Sequence, residues 1–317
     1  MSSIAPRDIA ECEQILRRGS KSFYAASRVL PARVRVPSMA LYAFCRAADD
    51  AVDDALPFAD QKKKAVARLR ERLERVYEGR LLDGVIERVF AAVVHDYRIP
   101  RALPAALVEG MEWDAEGRTY ETIDDLNAYC ARVASTVGVM MTLLMGPRGE
   151  EVLARACDLG IAMQLTNIAR DVGEDARMGR IYIPRQWMRA EGVDPETWLA
   201  DPRPSEKIAS LTARLLQTAD GFYEKADYGV PMLPRDCRIA IRAARLIYCD
   251  IGRVVRAHAY DSVSSRAVVS KGRKIWLITR ALGAYFSRAN PLSLPALPET
   301  RFLVNAAAGS AAKGHTA

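Results

Sequence analysis

The 317-residue sequence is poor in several things that would point to other chemistries. Aromatic residues are sparse, at 7%. There are only three histidines, and the six cysteines (Cys12, Cys45, Cys130, Cys157, Cys237, Cys249) include no CxxC pair, which argues against a structural zinc site and for buried free thiols in a reducing compartment. No alternating strand pattern of useful length and no internal repeat appears. No apolar run is expected to reach the eighteen or so residues of a membrane span, and the start MSSIAPRDIAECEQ lacks the apolar core of a signal peptide. Together these absences predict a cytoplasmic protein that rests on a membrane at most.

What remains is helical. Half of the residues are hydrophobic, enough for a sizeable core. Ala, Leu, Arg and Glu are abundant, and apolar residues recur at helical spacing nearly throughout. In QKKKAVARLRERLERVYEG, Val66, Leu69, Leu73 and Val76 form one stripe and Gly79 is a stop signal. Short Pro- or Gly-rich breaks separate such stripes, so the expected fold class is all-α, a single bundle over 1–290. Residues 291–317, a proline-punctuated connector followed by NAAAGSAAKGHTA, are expected to be a disordered tail.

Two acidic clusters carry the chemical signal. In MALYAFCRAADDAVDD, Asp49 and Asp53 are four apart and share a helix face, as do Asp50 and Asp54. Such like-charge pairs repel by a few tenths of a kcal/mol unless a cation offsets them. Arg46 and Tyr42 precede them by successive turns, aligning a ring, a phosphate-binding guanidinium and two carboxylates. In CDLGIAMQLTNIARDVGEDARMGRIYIP, Gln164, Asn167, Asp171 and Asp175 lie along one stripe while Ile161, Leu165 and Ile168 face the other way. Acids at a helix C-terminus oppose the macrodipole and need compensation. Arg170, Arg177 and Arg180 stand nearby to grip diphosphate oxygens, and Gly173 and Gly179 are expected to loosen the helix end. Oxygen-only ligands of this kind suit hard cations, and two such clusters suit metal-assisted loss of diphosphate from an allylic carbon inside a dry apolar cavity.

These segments resemble the squalene/phytoene synthase family over about residues 15–285. GSKSFYAASRVLP, LYAFCRAADDAVDD, YCARVASTVG and QLTNIARDVGEDARMGRIYIP look like its four motifs in order. The resemblance implies a class I isoprenoid synthase bundle with a central cavity. It further implies head-to-head joining of two prenyl diphosphates through a cyclopropyl diphosphate. SKSFYAASRVLP and YDSVSSRAVVSKGRK point to the phytoene-forming branch, whose substrate is geranylgeranyl diphosphate and which needs no nicotinamide. The alternatives are the squalene, dehydrosqualene and hydroxysqualene branches, which act on farnesyl diphosphate.

By the same resemblance, Asp49, Asp53, Asn167, Asp171 and Asp175 hold Mg²⁺ (or Mn²⁺) and the diphosphates. Ser20, Lys21, Arg46, Arg170, Arg266 and Lys274 bind phosphate oxygens. Phe23, Tyr42, Val133, Ala134, Gly138 and Gln164 shape the cavity, and Tyr129 and Tyr248 stand near the reacting carbons. Ser135 departs from the family pattern, which has glycine there. The net charge of +7 fits an anionic membrane surface as partner, with handover of the product to a phytoene desaturase. A basic nucleic-acid-binding protein is disfavoured, because acids interleave with the scattered arginines.

Overall fold

In the computed structural model, which describes residues 4–53, 59–80, 84–288 and 294–312, every regular element is helical. The α-helices are α1 (Pro6–Gly19), α2 (Lys21–Ser27), α3 (Ala32–Asp53), α4 (Ala59–Glu78), α5 (Val85–Asp96), α6 (Ala102–Ala115), α7 (Ile123–Cys130), α8 (Thr136–Met145) and α9 (Glu150–Arg177). There follow α10 (Arg185–Ala190), α11 (Pro195–Ala200), α12 (Glu206–Asp227), α13 (Arg235–Ala257), α14 (Lys271–Ala281) and α15 (Arg301–Ala312).

Local signals explain many of the boundaries. Ser20, Thr122, Asp194, Ser205 and Ser270 cap the helices that follow them, accepting from the first-turn backbone. Thr122 and Asp125 form a reciprocal capping box. Gly79 ends α4 at φ +67° and Gly179 follows α9 at φ +78°, both left-handed positions that glycine tolerates without a Cβ clash. Val66, Leu69, Leu73 and Val76 are all buried, as the stripe predicts.

Helix α9, 28 residues and about 42 Å long, is the spine. Its first half, with Val152, Leu153 and Cys157, joins a core built by α1, α3 to α6 and α8. Its second half, with Ile161, Leu165, Ile168 and Val172, joins a second core with α7, α12 and α13. The site lies along α9 where these two cores meet.

Three expectations are corrected. First, part of the tail is folded: Arg301–Ala312 form α15, and Leu303, Val304 and Ala307 are buried against α6, α8 and α9. Its low complexity hid a short apolar face that only a groove on the bundle could order. Second, Ile123–Met145 is long enough for a span and contains an 18-residue window of mean hydropathy 1.4, but 67% of that window is buried inside the bundle, the behaviour of a core element. Third, Gly173 does not loosen α9, which runs on to Arg177. Gly173 permits close approach instead: a Cβ there would sit 2.5 Å from the Val263 carbonyl oxygen, and its N–H donates to the Ser262 carbonyl at 3.0 Å.

Candidate active site

A cavity of about 580 Å³ runs beside α9. Fifteen of the side chains singled out in the sequence line it: Phe23, Tyr42, Arg46, Asp49, Tyr129, Val133, Ala134, Gly138, Gln164, Asn167, Arg170, Asp171, Asp175, Tyr248 and Arg266. They come from α2, α3, α7 to α9, α13 and the segment before α14, so the bundle gathers residues more than 240 positions apart in the chain. Ser20, Lys21 and Lys274 are not in the lining. Ser20 caps α2, its Oγ accepting from Phe23 N at 3.1 Å, and it also hydrogen-bonds Tyr248. Lys21 and Lys274 stand near each other; burial first, then the Lys21 charge, pulls the Lys274 ammonium below its ordinary value. The side chain of Asp53 lies outside the described residues.

Along α9 the lining changes character. Val152, Ala156, Leu159, Gly160 and Met163 form an apolar wall, and then Gln164, Asn167, Asp171 and Asp175 appear at successive turns. Ile161 and Leu165 are buried in the core as expected, whereas Ile168, also buried, lines the cavity beside the polar stripe, because four residues from Gln164 it shares that helix face rather than turning away from it. At the polar end Arg170 donates to Asp171 at 2.8 and 2.5 Å, and Arg266 donates to it at 2.7 and 3.2 Å. Burial alone would raise the Asp171 carboxyl; these two guanidinium groups outweigh it and hold the group below the usual carboxylate range. Asp175 has the opposite fate. Burial, then the neighbouring Asp171 charge, pushes it up to about 8, with Asp114 and Glu174 adding to the rise and Arg180 opposing it. On α3, Arg46 bridges Asp49 at 3.3 Å and Asp50 at 2.5 Å.

Several of these neighbours escaped the sequence reading. Asp114, near the end of α6, lines the cavity and accepts hydrogen bonds from Tyr129 (2.7 Å) and Tyr182 (2.8 Å). Burial and then the Asp114 charge raise both phenols well above their ordinary value, so Tyr129 keeps its proton and acts as a donor. Glu174, also missed, lines the polar end with Arg180, which the sequence sets beside these acids, whereas Arg177, expected there too, turns away to donate to the Val263 carbonyl at 3.2 Å. Asp114 sits among Glu109, Glu112 and Glu116, none of them three or four residues away on its helix face, so no spacing signal singled it out.

The middle wall is built by an unusual backbone. Between α7 and α8, Ala131–Ser135 form a π-helical turn, which places Val133 and Ala134 on the cavity. Such bulges frequently occur at functional sites. Ser135, the departure from the family pattern, is buried and donates from Oγ to the Cys157 carbonyl at 2.8 Å. The close helix contact is supplied from the other side by Gly160, where an added Cβ would lie 2.6 Å from Ser135 Cα and N.

The donor set is made of oxygen ligands, and at Asp175 burial and neighbouring acids favour a protonated carboxyl that a bound cation would favour ionising. The set fits a divalent cation that brings phosphate oxygens with it, although the described residues contain no compact group of three or more His, Cys, Asp or Glu poised to hold an ion.

The squalene/phytoene synthase family pattern matches residues 16–273. The chain is 52% identical over 311 residues to the phytoene synthase of Rhodobacter capsulatus, covering 96% of this chain and 91% of that protein. Its identity to the phytoene synthase of Cereibacter sphaeroides is 51% over 316 residues, covering 96% and 89%. A dehydrosqualene synthase crystallised with a ligand superimposes with a TM-score of 0.78 at 34% identity, covering 87% of this chain and 95% of that one. The squalene synthase of Alicyclobacillus acidocaldarius shares the fold, with a TM-score of 0.72 at 24% identity over 80% of this chain and 95% of that one. With these motifs gathered around one cavity, the chain belongs to the squalene/phytoene synthase family of all-α prenyltransferases.

Proposed function

We propose that this chain is a phytoene synthase of carotenoid biosynthesis. It joins two geranylgeranyl diphosphates head to head through a cyclopropyl diphosphate, releases two diphosphates and forms phytoene without a nicotinamide. The observation that carries this reading is one cavity with carboxylates from α3 and α9 at one end and a hydrocarbon-like wall behind them. The identity to two phytoene synthases over 96% of the chain supports the choice of product. Along α9 the wall from Asp171 back to Val152 extends about 28 Å at 1.5 Å per residue. An extended C20 chain, at roughly 1.2 Å per bond as in extended polypeptide, needs about 18 Å.

The residues divide the work by chemistry. Asp49, Asp53, Asn167, Asp171 and Asp175 hold Mg²⁺ or Mn²⁺, which when bound supplies Lewis acidity to the leaving diphosphate. Arg46, Arg170 and Arg266 grip phosphate oxygens, and Lys21 and Lys274 extend the positive field at the rim. Arg170 and Arg266 pair with Asp171, and a bound diphosphate would offer them a second anion. Met111, Met141, Met145 and Met163 line the apolar part and exclude water that would quench a cation. Tyr129, fixed by Asp114, presents its ring and its retained proton.

We place the protein in the cytoplasm, peripheral on the inner membrane, where its lipophilic product can pass to a phytoene desaturase. The test is product analysis. Purified protein is incubated with geranylgeranyl diphosphate and Mg²⁺ without nicotinamide, and in parallel with farnesyl diphosphate. A C40 phytoene peak that disappears with chelator is expected. The similarity to a dehydrosqualene synthase favours one second reading: a C30 product from farnesyl diphosphate alone would move the enzyme to that branch.

A further inference from the structure

The segment from the end of α13 to the start of α15 has a one-sided composition. No Asp or Glu occurs between Asp261 and Glu299, whereas Arg266, Lys271, Arg273, Lys274, Arg280 and Arg288 all do. Helix α14 and the 3-10 turn continuing it, Leu282–Phe286, are amphipathic in an inverted sense. Leu277 and Ala281 are buried toward α13, and the outer side is also apolar: Ile275 is 64% exposed, Leu282 54% and Phe286 80%. Ile275 and Leu282, seven residues apart, lie on one side of the helix, opposite Leu277 and Ala281. Trp276 is partly exposed between two guanidinium groups, with Arg273 4.1 Å and Arg280 4.8 Å from its ring centre. Tyr285 and Phe286 pack edge to face at 5.2 Å. Val268, 73% exposed, continues the patch toward Arg266, which lines the cavity.

We propose that this face, α14 with its 3-10 extension, is the surface by which the protein docks on an anionic lipid membrane, holding the cavity opening against the bilayer. The inference rests on the functional reading above only for its purpose, the passage of lipophilic molecules. The surface itself is argued from its chemistry. Arg273 pairs with Asp250 of α13 and Arg266 with Asp171 and Glu174 of α9, which leaves Lys271, Lys274, Arg280 and Arg288 as the basic groups around the exposed Trp, Tyr, Phe, Leu and Ile, a combination that matches an interface apolar below and anionic above. A second copy of this chain is a poor occupant, since a two-fold contact would set Lys271, Arg280 and Arg288 of one copy against the same cations of the other. The location fits the purpose: Lys274 stands near Lys21, α14 packs against α2, and Phe23 of α2 lines the cavity.

Flotation of the full-length protein tests this, with phosphatidylcholine vesicles and with vesicles also containing phosphatidylglycerol, at low salt. The wild type is expected to float with the anionic vesicles and not with the neutral ones. Leu282→Ser/Phe286→Ser and, separately, Arg280→Glu/Arg288→Glu are expected to lower the bound fraction about tenfold or more. Both variants should keep wild-type turnover on detergent-dispersed substrate, which also shows that they fold. Equal flotation of variants and wild type, or equal binding to neutral vesicles, overturns the proposal. So does a change from dimer to monomer in sedimentation with vesicle binding intact, which would make the face a self-interface. If detergent turnover of geranylgeranyl diphosphate is absent in the wild type while flotation behaves as expected, the functional reading fails and the docking surface stands.

Discussion

At the scale of single residues, the two acids one turn apart on α9 are in opposite electrostatic states. Asp171 is held ionised by Arg170 and Arg266; Asp175 is held protonated toward neutral pH by burial and by its anionic neighbours. Asp171→Ala removes an anchor for both guanidinium groups and a proposed metal ligand. Turnover should fall by about 10³-fold, the scale of losing one preorganised charge-stabilising group, with an unchanged far-ultraviolet circular dichroism spectrum. Asp175 gives a pH signature. Its folded pKa, about 8, exceeds its unfolded value, so between the two the folded state binds more protons and stability falls as pH rises. In chelator, Asp175→Asn should therefore melt higher than the wild type at pH 8, and the difference should shrink as pH falls toward 5. A melting comparison with the opposite trend would remove the case for an uncompensated charge there. The carboxylate stripe was legible because a helix makes four-residue spacing visible. Asp114 was not, because among the neighbouring Glu109, Glu112 and Glu116 it acquires meaning only when Tyr129 and Tyr182 fold over it.

At the scale of elements, α9 against the π-helical turn sets the width of the cavity. Gly160 meets the backbone of Ser135 and Ala134, and backbone cannot rotate aside as a side chain can. Gly160→Ala should cost about 1–3 kcal/mol, the usual range for overpacking a filled contact, read as a lower urea midpoint with unchanged slope. The sequence pattern YCARVASTVG announced a helix and a cavity wall, but the period of its apolar residues did not distinguish an α-turn from a π-turn. That choice depends on how α6 and α9 pack against it. Gly110 makes the same kind of contact from α6, where a Cβ would come within 2.6 Å of Val133 Cγ1.

At the scale of the molecule, α15 closes the bundle. Truncation after Glu299 would leave the groove that holds Leu303 and Val304 exposed. With about 1.5–3 kcal/mol for each fully buried aliphatic side chain, the loss should reach about 3–6 kcal/mol as an upper bound. It is measurable as a lower denaturation midpoint, and an unchanged midpoint would show that α15 contributes nothing to the core. The stretch from 262 to 298 holds six Arg and Lys and no acid of its own, and the fold offsets part of that charge by pairing Arg266 with Asp171 and Glu174 and Arg273 with Asp250.

Local periodicity and composition sufficed for the helical class, the two acidic faces, the buried stripe of α9 and several helix stops, since each follows from 3.6-residue geometry and from the backbone preferences of Gly and Pro. Resemblance in motif order added the chemistry. Tertiary packing alone decided that the apolar run Ile123–Met145 is a core element, that the low-complexity tail has a groove to fold into, and that Asp114 joins the site. Those outcomes depend on what lies opposite a residue in space, and burial, hydrogen-bond partners and charge neighbours are supplied by chain segments tens to hundreds of positions away.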